Sequence, residues 1–86
     1  MTRFLGRTAL VTGSSGMGLA TALRLAREGA RVHCCGIDEG RNAAAREAAT
    51  GLPVTVTRVD LTDDGAVAAW VAQGAGEGLD ILVNAA

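Results

Sequence analysis

The chain has 86 residues, 49% of them apolar, and a formal net charge of -1 from eight arginines set against nine carboxylates. That length suits one globular unit of modest stability, about 4 to 13 kcal/mol at typical per-residue values, and the even balance of charge, with no run of one sign, excludes the footprint of a nucleic-acid or anionic-membrane binder. Apolar runs of three or four residues are too short for a membrane span or for the core of a signal peptide, so a cytoplasmic protein is expected.

Thr8 to Thr12 carries the apolar run Ala9-Leu10-Val11 and reads as a buried, central strand. The chain then passes through glycines 13, 16 and 18 into a helix within a few residues. Glycines there let the backbone turn tightly and approach an anion, while the first free N–H groups and the positive dipole end of the helix face it. Gly13, Ser14, Ser15, Gly16, Met17 and Gly18 are therefore a candidate phosphate loop, with a dinucleotide as the leading ligand. The same glycines could instead serve only a tight turn and close packing of helix on strand. Between Met17 and Glu28 the apolar positions Leu19, Ala22, Leu23 and Ala26 follow helical spacing, and Gly29 supplies the stop.

Arg31 to Gly36 reads as a second strand. Its neighbours Cys34 and Cys35 should point to opposite faces, which argues against a disulfide between them, and no second ligand pair stands at a useful spacing for a metal. Both read as buried strand residues, and His33 as a packed residue rather than a ligand or base. Glu39 to Ala49 is an alanine-rich helix that ends near Gly51-Leu52-Pro53. Val54 to Asp60 alternates like a strand with one wetter face, as at a sheet edge.

Thr62 offers a capping hydroxyl ahead of Asp63 and Asp64 at the start of a third helix, whose inner stripe is Val67, Trp70 and Val71. Trp70 is expected in the core, and glycines 74, 76 and 78 end the helix. Ile81-Leu82-Val83 reads as a second central strand, followed only by Asn84-Ala85-Ala86. Connections this short permit only right-handed crossovers, so the sheet is expected to be parallel with strand order 3-2-1-4. That is the first half of an α/β, Rossmann-type doubly wound fold, with its switch point beside the glycine loop.

These residues resemble the N-terminal part of a short-chain dehydrogenase/reductase over essentially the whole chain. Thr12-Gly13 with Gly16 and Gly18 resembles the family's Thr-Gly-x-x-x-Gly-x-Gly cofactor loop, Asp60-Leu61 its adenine-contacting pair, and Ile81 to Ala86 its fourth-strand Asn-Asn-Ala-Gly motif, with Asn84 at the first asparagine. Two departures stand out. Only Ser14 and Ser15 lie between the first two glycines, one residue fewer than usual, and Ala85 replaces the second asparagine. The family's extended branch has that shorter spacing but places its third glycine where this chain has Leu19.

The resemblance implies NAD(P)-dependent hydride transfer to or from the carbon of a small alcohol or ketone, and a cofactor site comprising Gly13, Ser14, Ser15, Gly16, Met17, Gly18, Asp38, Asp60, Leu61, Asn84, Ala85 and Ala86. Asp60 could equally cap the end of its strand, and Asn84 could fix buried backbone groups or support a proton relay. The family's catalytic Ser, Tyr and Lys lie downstream; this chain contains no tyrosine and no lysine. The expectation is one Rossmann domain cut before its catalytic segment, inert by itself, homo-oligomeric at full length, with no metal site and no nucleic-acid or membrane partner. The alternatives are a non-catalytic nucleotide-binding or regulatory module and a Rossmann unit for another nucleotide-bearing ligand such as S-adenosylmethionine.

NAD is favoured over NADP. Asp38 lies twenty residues after Gly18, where a Rossmann unit places its ribose-binding acid, although the family's usual acidic position aligns with Gly36 and the next with Ile37. The loop offers Ser15 rather than a base to a 2′-phosphate. A carboxylate within about 4 Å of that phosphate would be repelled by about 4 kcal/mol per charge pair at an effective dielectric near 20.

Overall fold

The computed structural model describes residues 3–76 and 78–85. Seven elements alternate along the chain: β1 (Thr8–Thr12), α1 (Gly16–Arg27), β2 (Arg31–Gly36), α2 (Glu39–Ala48), β3 (Val54–Arg58), α3 (Asp64–Gly74) and β4 (Ile81–Asn84). The four strands form one parallel sheet in the order β3-β2-β1-β4, as the short crossovers require. Leu10 is paired with His33 on one side and Leu82 on the other. β1 is thus the centre of the layer, and Ala9, Leu10 and Val11 are excluded from solvent.

Strand alternation divides the core in two. Ala9, Val11, Val32, Cys34 and Val56 pack beneath α1 and α2, where Ala22, Ala26 and Ala45 let the helices lie close to the sheet. Leu10, Cys35 and Val59 meet Trp70 of α3 on the opposite face. The adjacent cysteines therefore point to opposite sides as free thiols. Burial, with a smaller contribution from Cys35, pushes the Cys34 thiol up to about 12. Burial likewise raises Cys35, partly offset by a backbone hydrogen bond from Gly13. His33 is half-buried on the α3 face, and desolvation together with Arg31 lowers its pKa.

Several local expectations need correction. β3 spans Val54–Arg58 rather than reaching Asp60; the Val59 N–H still donates to the Gly36 carbonyl at 3.1 Å, and the Val59 side chain packs with Trp70 of α3. The cap of α3 is Asp63, whose carboxylate accepts from the Ala66 N–H at 3.0 Å; the Thr62 hydroxyl donates to Asp60 instead. Val71 lies 39% exposed, so the buried anchor of α3 is Trp70 with Val67 beside it. Gly74 is the last residue of that helix rather than a break in it: a Cβ there would fall 2.5 Å from Leu10 Cδ2, so glycine lets the helix end rest on the sheet. Among the described residues β4 pairs with β1, and Leu82 on it is 65% exposed.

α1 ends as its glycine stop predicts, with Gly29 at φ +104 after Glu28. Glu28 is buried, and its carboxylate is held by Arg3 and by Arg24 Nε at 3.0 Å. Burial acts to raise its pKa, but the two guanidinium hydrogen bonds outweigh it and hold the carboxyl below its ordinary 4.5.

Candidate functional site

The carboxyl ends of β1 and β2 open onto a cleft of about 450 Å³ lined by Gly13, Ser14, Ser15, Asp38, Asp60 and Ala85, among others. Ligands of open α/β sheets bind outside these strand ends at the switch point. Here the chain order reverses between β1 and β4, directly beside the glycine loop. A larger groove of about 1010 Å³ lies at the other end of the sheet, between the strand starts at Thr8 and Arg31 and the C-terminal end of α3. The helix N-terminus and the glycine loop both belong to the smaller cleft, which is therefore the candidate site.

The loop is shaped by backbone needs that only glycine meets. Gly13 takes φ +101 and donates its N–H to the Cys35 carbonyl at 2.8 Å, extending the β1–β2 ladder by one bond. Gly18 sits so close beneath the turn that a Cβ would lie 2.6 Å from the Gly13 carbonyl oxygen. Ser15 is the N-cap of α1 in extended conformation, yet its side chain makes no capping bond and the first turn contains no acid. The N-terminal donors of α1 are thus free of side-chain partners, the arrangement an anion requires.

The other candidates fall into three groups. Asp38 and Asp60 stand in the cleft with Leu61. Asp38 Oδ1 caps α2 by accepting the Arg41 N–H at 3.0 Å, which leaves acceptor capacity on the carboxylate. Asp60 Oδ1 accepts both the Thr62 N–H, at 2.9 Å, and the Thr62 hydroxyl, at 2.7 Å; these bonds keep its carboxyl below the ordinary 3.8. Asp60 is therefore both a turn cap and a cleft residue. Gly16 and Gly18 shape the loop without lining the cleft, and the Met17 side chain is 82% exposed outside it.

Asn84 is exposed and lies off the cleft wall. Its Oδ1 accepts the Thr12 hydroxyl at 2.7 Å, while the Ala85 N–H donates to Thr12 Oγ1 and to the Thr12 carbonyl, both at 3.1 Å. Asn84 thus ties the ends of β4 and β1 through a side chain rather than by satisfying buried backbone groups. Ala86 lies outside the described residues. The sequence reading missed Arg41 and Thr62 on the cleft wall and the fully buried Asn42 behind it. A signal for Asn42 existed: it stands at helical spacing with Ala45 and Ala49, a polar residue within an otherwise alanine stripe.

Among the described residues, no group of three or more His, Cys, Asp or Glu side chains could hold a metal ion. No helix there is long and apolar enough to cross a membrane.

Comparison with known proteins agrees with this geometry. Residues 11–86 match a family model described as enoyl-(acyl carrier protein) reductase. The chain is 41% identical to levodione reductase of Leifsonia aquatica, over 81% of this chain and 28% of the relative. It is also 41% identical to glucose 1-dehydrogenase of Gluconobacter oxydans (strain 621H), over 94% of this chain and 33% of the relative. The chain therefore spans about a third of the length of the curated relatives it matches. Among solved structures, a short chain dehydrogenase/reductase family protein superposes over 100% of this chain and 35% of its own, with TM-score 0.85 and 41% identity. The apo form of glucose dehydrogenase of Caenorhabditis elegans superposes over 96% of this chain and 38% of its own, with TM-score 0.86 and 37% identity. The glycine loop, the 3-2-1-4 sheet and these matches over nearly every residue place the chain in the short-chain dehydrogenase/reductase family.

Proposed function

We propose that this chain is the dinucleotide-binding half of a longer NAD(P)-dependent oxidoreductase acting on a small alcohol or ketone. The observation that carries the reading is the helix N-terminus without side-chain caps, placed beside a glycine turn at the strand ends and facing Asp38 and Asp60 across one cleft. When bound, the nicotinamide supplies or accepts the hydride. This chain's own residues bind and orient. Backbone donors from Gly13 to Gly18 would hold the phosphates, Asp38 the adenosine ribose, and Asp60 with Leu61 the adenine end. Met17 would contribute through its backbone, and Ala85 and Ala86 would border the site where β4 ends. Asn84 would brace that end through Thr12.

NAD is the proposed cofactor, because the Asp38 charge at the cleft disfavours a 2′-phosphate. The chain has no tyrosine and no lysine, so the proton-transferring groups of the family would come from residues outside this sequence. The same reading takes the full-length protein to be cytoplasmic and homo-oligomeric; the two free, buried thiols suit a reducing compartment. The test is calorimetric titration of the full-length protein with NAD and with NADP, followed by an alcohol and ketone screen with the tighter cofactor. NAD should bind more tightly and support turnover. NADP binding about tenfold tighter would overturn the NAD assignment, failure of both would overturn the dinucleotide reading, and turnover by the isolated 86-residue chain would overturn the placing of the chemistry elsewhere.

A further inference from the structure

We propose that Asn42 is a positioning residue of the cleft, a buried strut that holds the glycine loop and the first turn of α2 in one arrangement by way of Ser14 and the end of β2. The proposal rests on the dinucleotide reading of the cleft. Asn42 is fully buried, and it is a polar side chain in a stripe where alanine would otherwise pack. Its amide is used at both ends. Nδ2 donates to the Gly36 carbonyl at 2.8 Å, and Oδ1 accepts the Ser14 hydroxyl at 2.5 Å. The orientation is dictated by chemistry, since a carbonyl can only accept and the amide nitrogen can only donate.

Two consequences follow for the site. The single proton of the Ser14 hydroxyl is committed to Asn42, so Ser14 offers a phosphate no side-chain donor; it anchors the loop whose backbone N–H groups do the binding. The strut also occupies the space beside residue 36. A Cβ on Gly36 would overlap Ser14 Oγ and stand 2.6 Å from Asn42 Oδ1, so no side chain fits at the last position of β2 while the strut is present. The acid available to a ribose is then Asp38, two residues on. Asp38 caps the helix that carries Asn42; the Asn42 N–H donates to its carbonyl at 2.9 Å in the ordinary helical pattern, a bond that does not depend on the side chain at position 42. By tying Ser14 to the end of β2, the Asn42 amide fixes where the glycine loop stands relative to α2 and its capping acid.

Binding and stability can be separated by a double variant. Ser14→Ala keeps a small side chain and removes one end of the strut. Asn42→Leu removes both ends and leaves the Ser14 hydroxyl buried without its partner, while Gly36 retains the Val59 N–H at 3.1 Å. Replacing both polar partners by apolar groups removes the unsatisfied hydroxyl, so Ser14→Ala/Asn42→Leu should recover most of the melting temperature lost by Asn42→Leu. The readout is NAD affinity of the full-length protein by calorimetry, beside thermal melting. All three variants should bind NAD about tenfold more weakly, the equivalent of one hydrogen bond to a charged group, with no recovery in the double variant. Recovery of affinity together with melting temperature, or wild-type affinity in Ser14→Ala, would overturn the positioning role and leave the dinucleotide reading intact. A wild-type protein that binds neither dinucleotide would overturn both.

Discussion

Gly18→Ala tests whether the contact between α1 and the glycine turn sets the geometry of the site. The added Cβ would lie 2.6 Å from the Gly13 oxygen and 3.0 Å from the Gly13 carbon, where ordinary contact begins near 3.4 Å. One backbone segment must therefore retreat by about 0.8 Å. Overpacking of this kind costs about 1 to 3 kcal/mol, and the gain of alanine over glycine in a helix offsets about 1 kcal/mol of it. The net loss of stability should be about 0 to 2 kcal/mol. Binding should suffer more, because a loop displaced by that distance misplaces backbone N–H donors whose hydrogen bonds to a charged phosphate are worth about 1.5 to 3 kcal/mol each. A fall in NAD affinity of about tenfold to a hundredfold is expected by calorimetry on the full-length protein. The control is Gly51→Ala, at φ +84 beyond α2 with open space around it. It carries a backbone cost of about 1 to 2 kcal/mol without touching the loop, so it should melt lower and bind normally. NAD affinity within twofold of wild type in Gly18→Ala, or an equal loss in both variants, would refute the reasoning.

Asp38→Asn keeps an N-cap of equal quality for α2 and removes the charge, so melting should change little while the preference for NAD over NADP falls by about tenfold or more in paired titrations. Leu10→Ala, at the 1% exposed centre of the sheet, should cost about 2 to 5 kcal/mol in a denaturant melt. On acidification, stability should begin to fall below pH 6.5, because burial and Arg31 hold folded His33 neutral while the unfolded chain takes up the proton. It should fall further below pH 4.5 as the Glu28 carboxylate, depressed by Arg3 and Arg24, is protonated; His33→Gln should flatten the upper step in melts recorded across that range. With the Cys34 thiol near 12 and Cys35 raised as well, neither should react with a thiol reagent at neutral pH until the protein is unfolded, when both should titrate.

The sequence by itself determined those features whose cause is local. Apolar runs bounded by glycine marked β1 and β2, helical spacing marked α1, and short crossovers imposed a parallel sheet in the order now seen, with β3 at its edge. The glycine loop was legible because a turn with positive φ at Gly13 and Gly16 is a property of a few consecutive residues. Local reading erred where two neighbouring polar groups compete for one role. The α3 cap passed from Thr62 to Asp63, because the Thr62 hydroxyl found Asp60 first. Tertiary structure alone decided which distant residues share a site. Ser14 meets Asn42 across 28 positions, and Thr12 meets Asn84 across 72, because parallel strands bring their carboxyl ends together only when the sheet forms. Only packing against β2 converted the buried amide of Asn42 from a liability into a strut, since a polar group without partners there would cost more than it contributes.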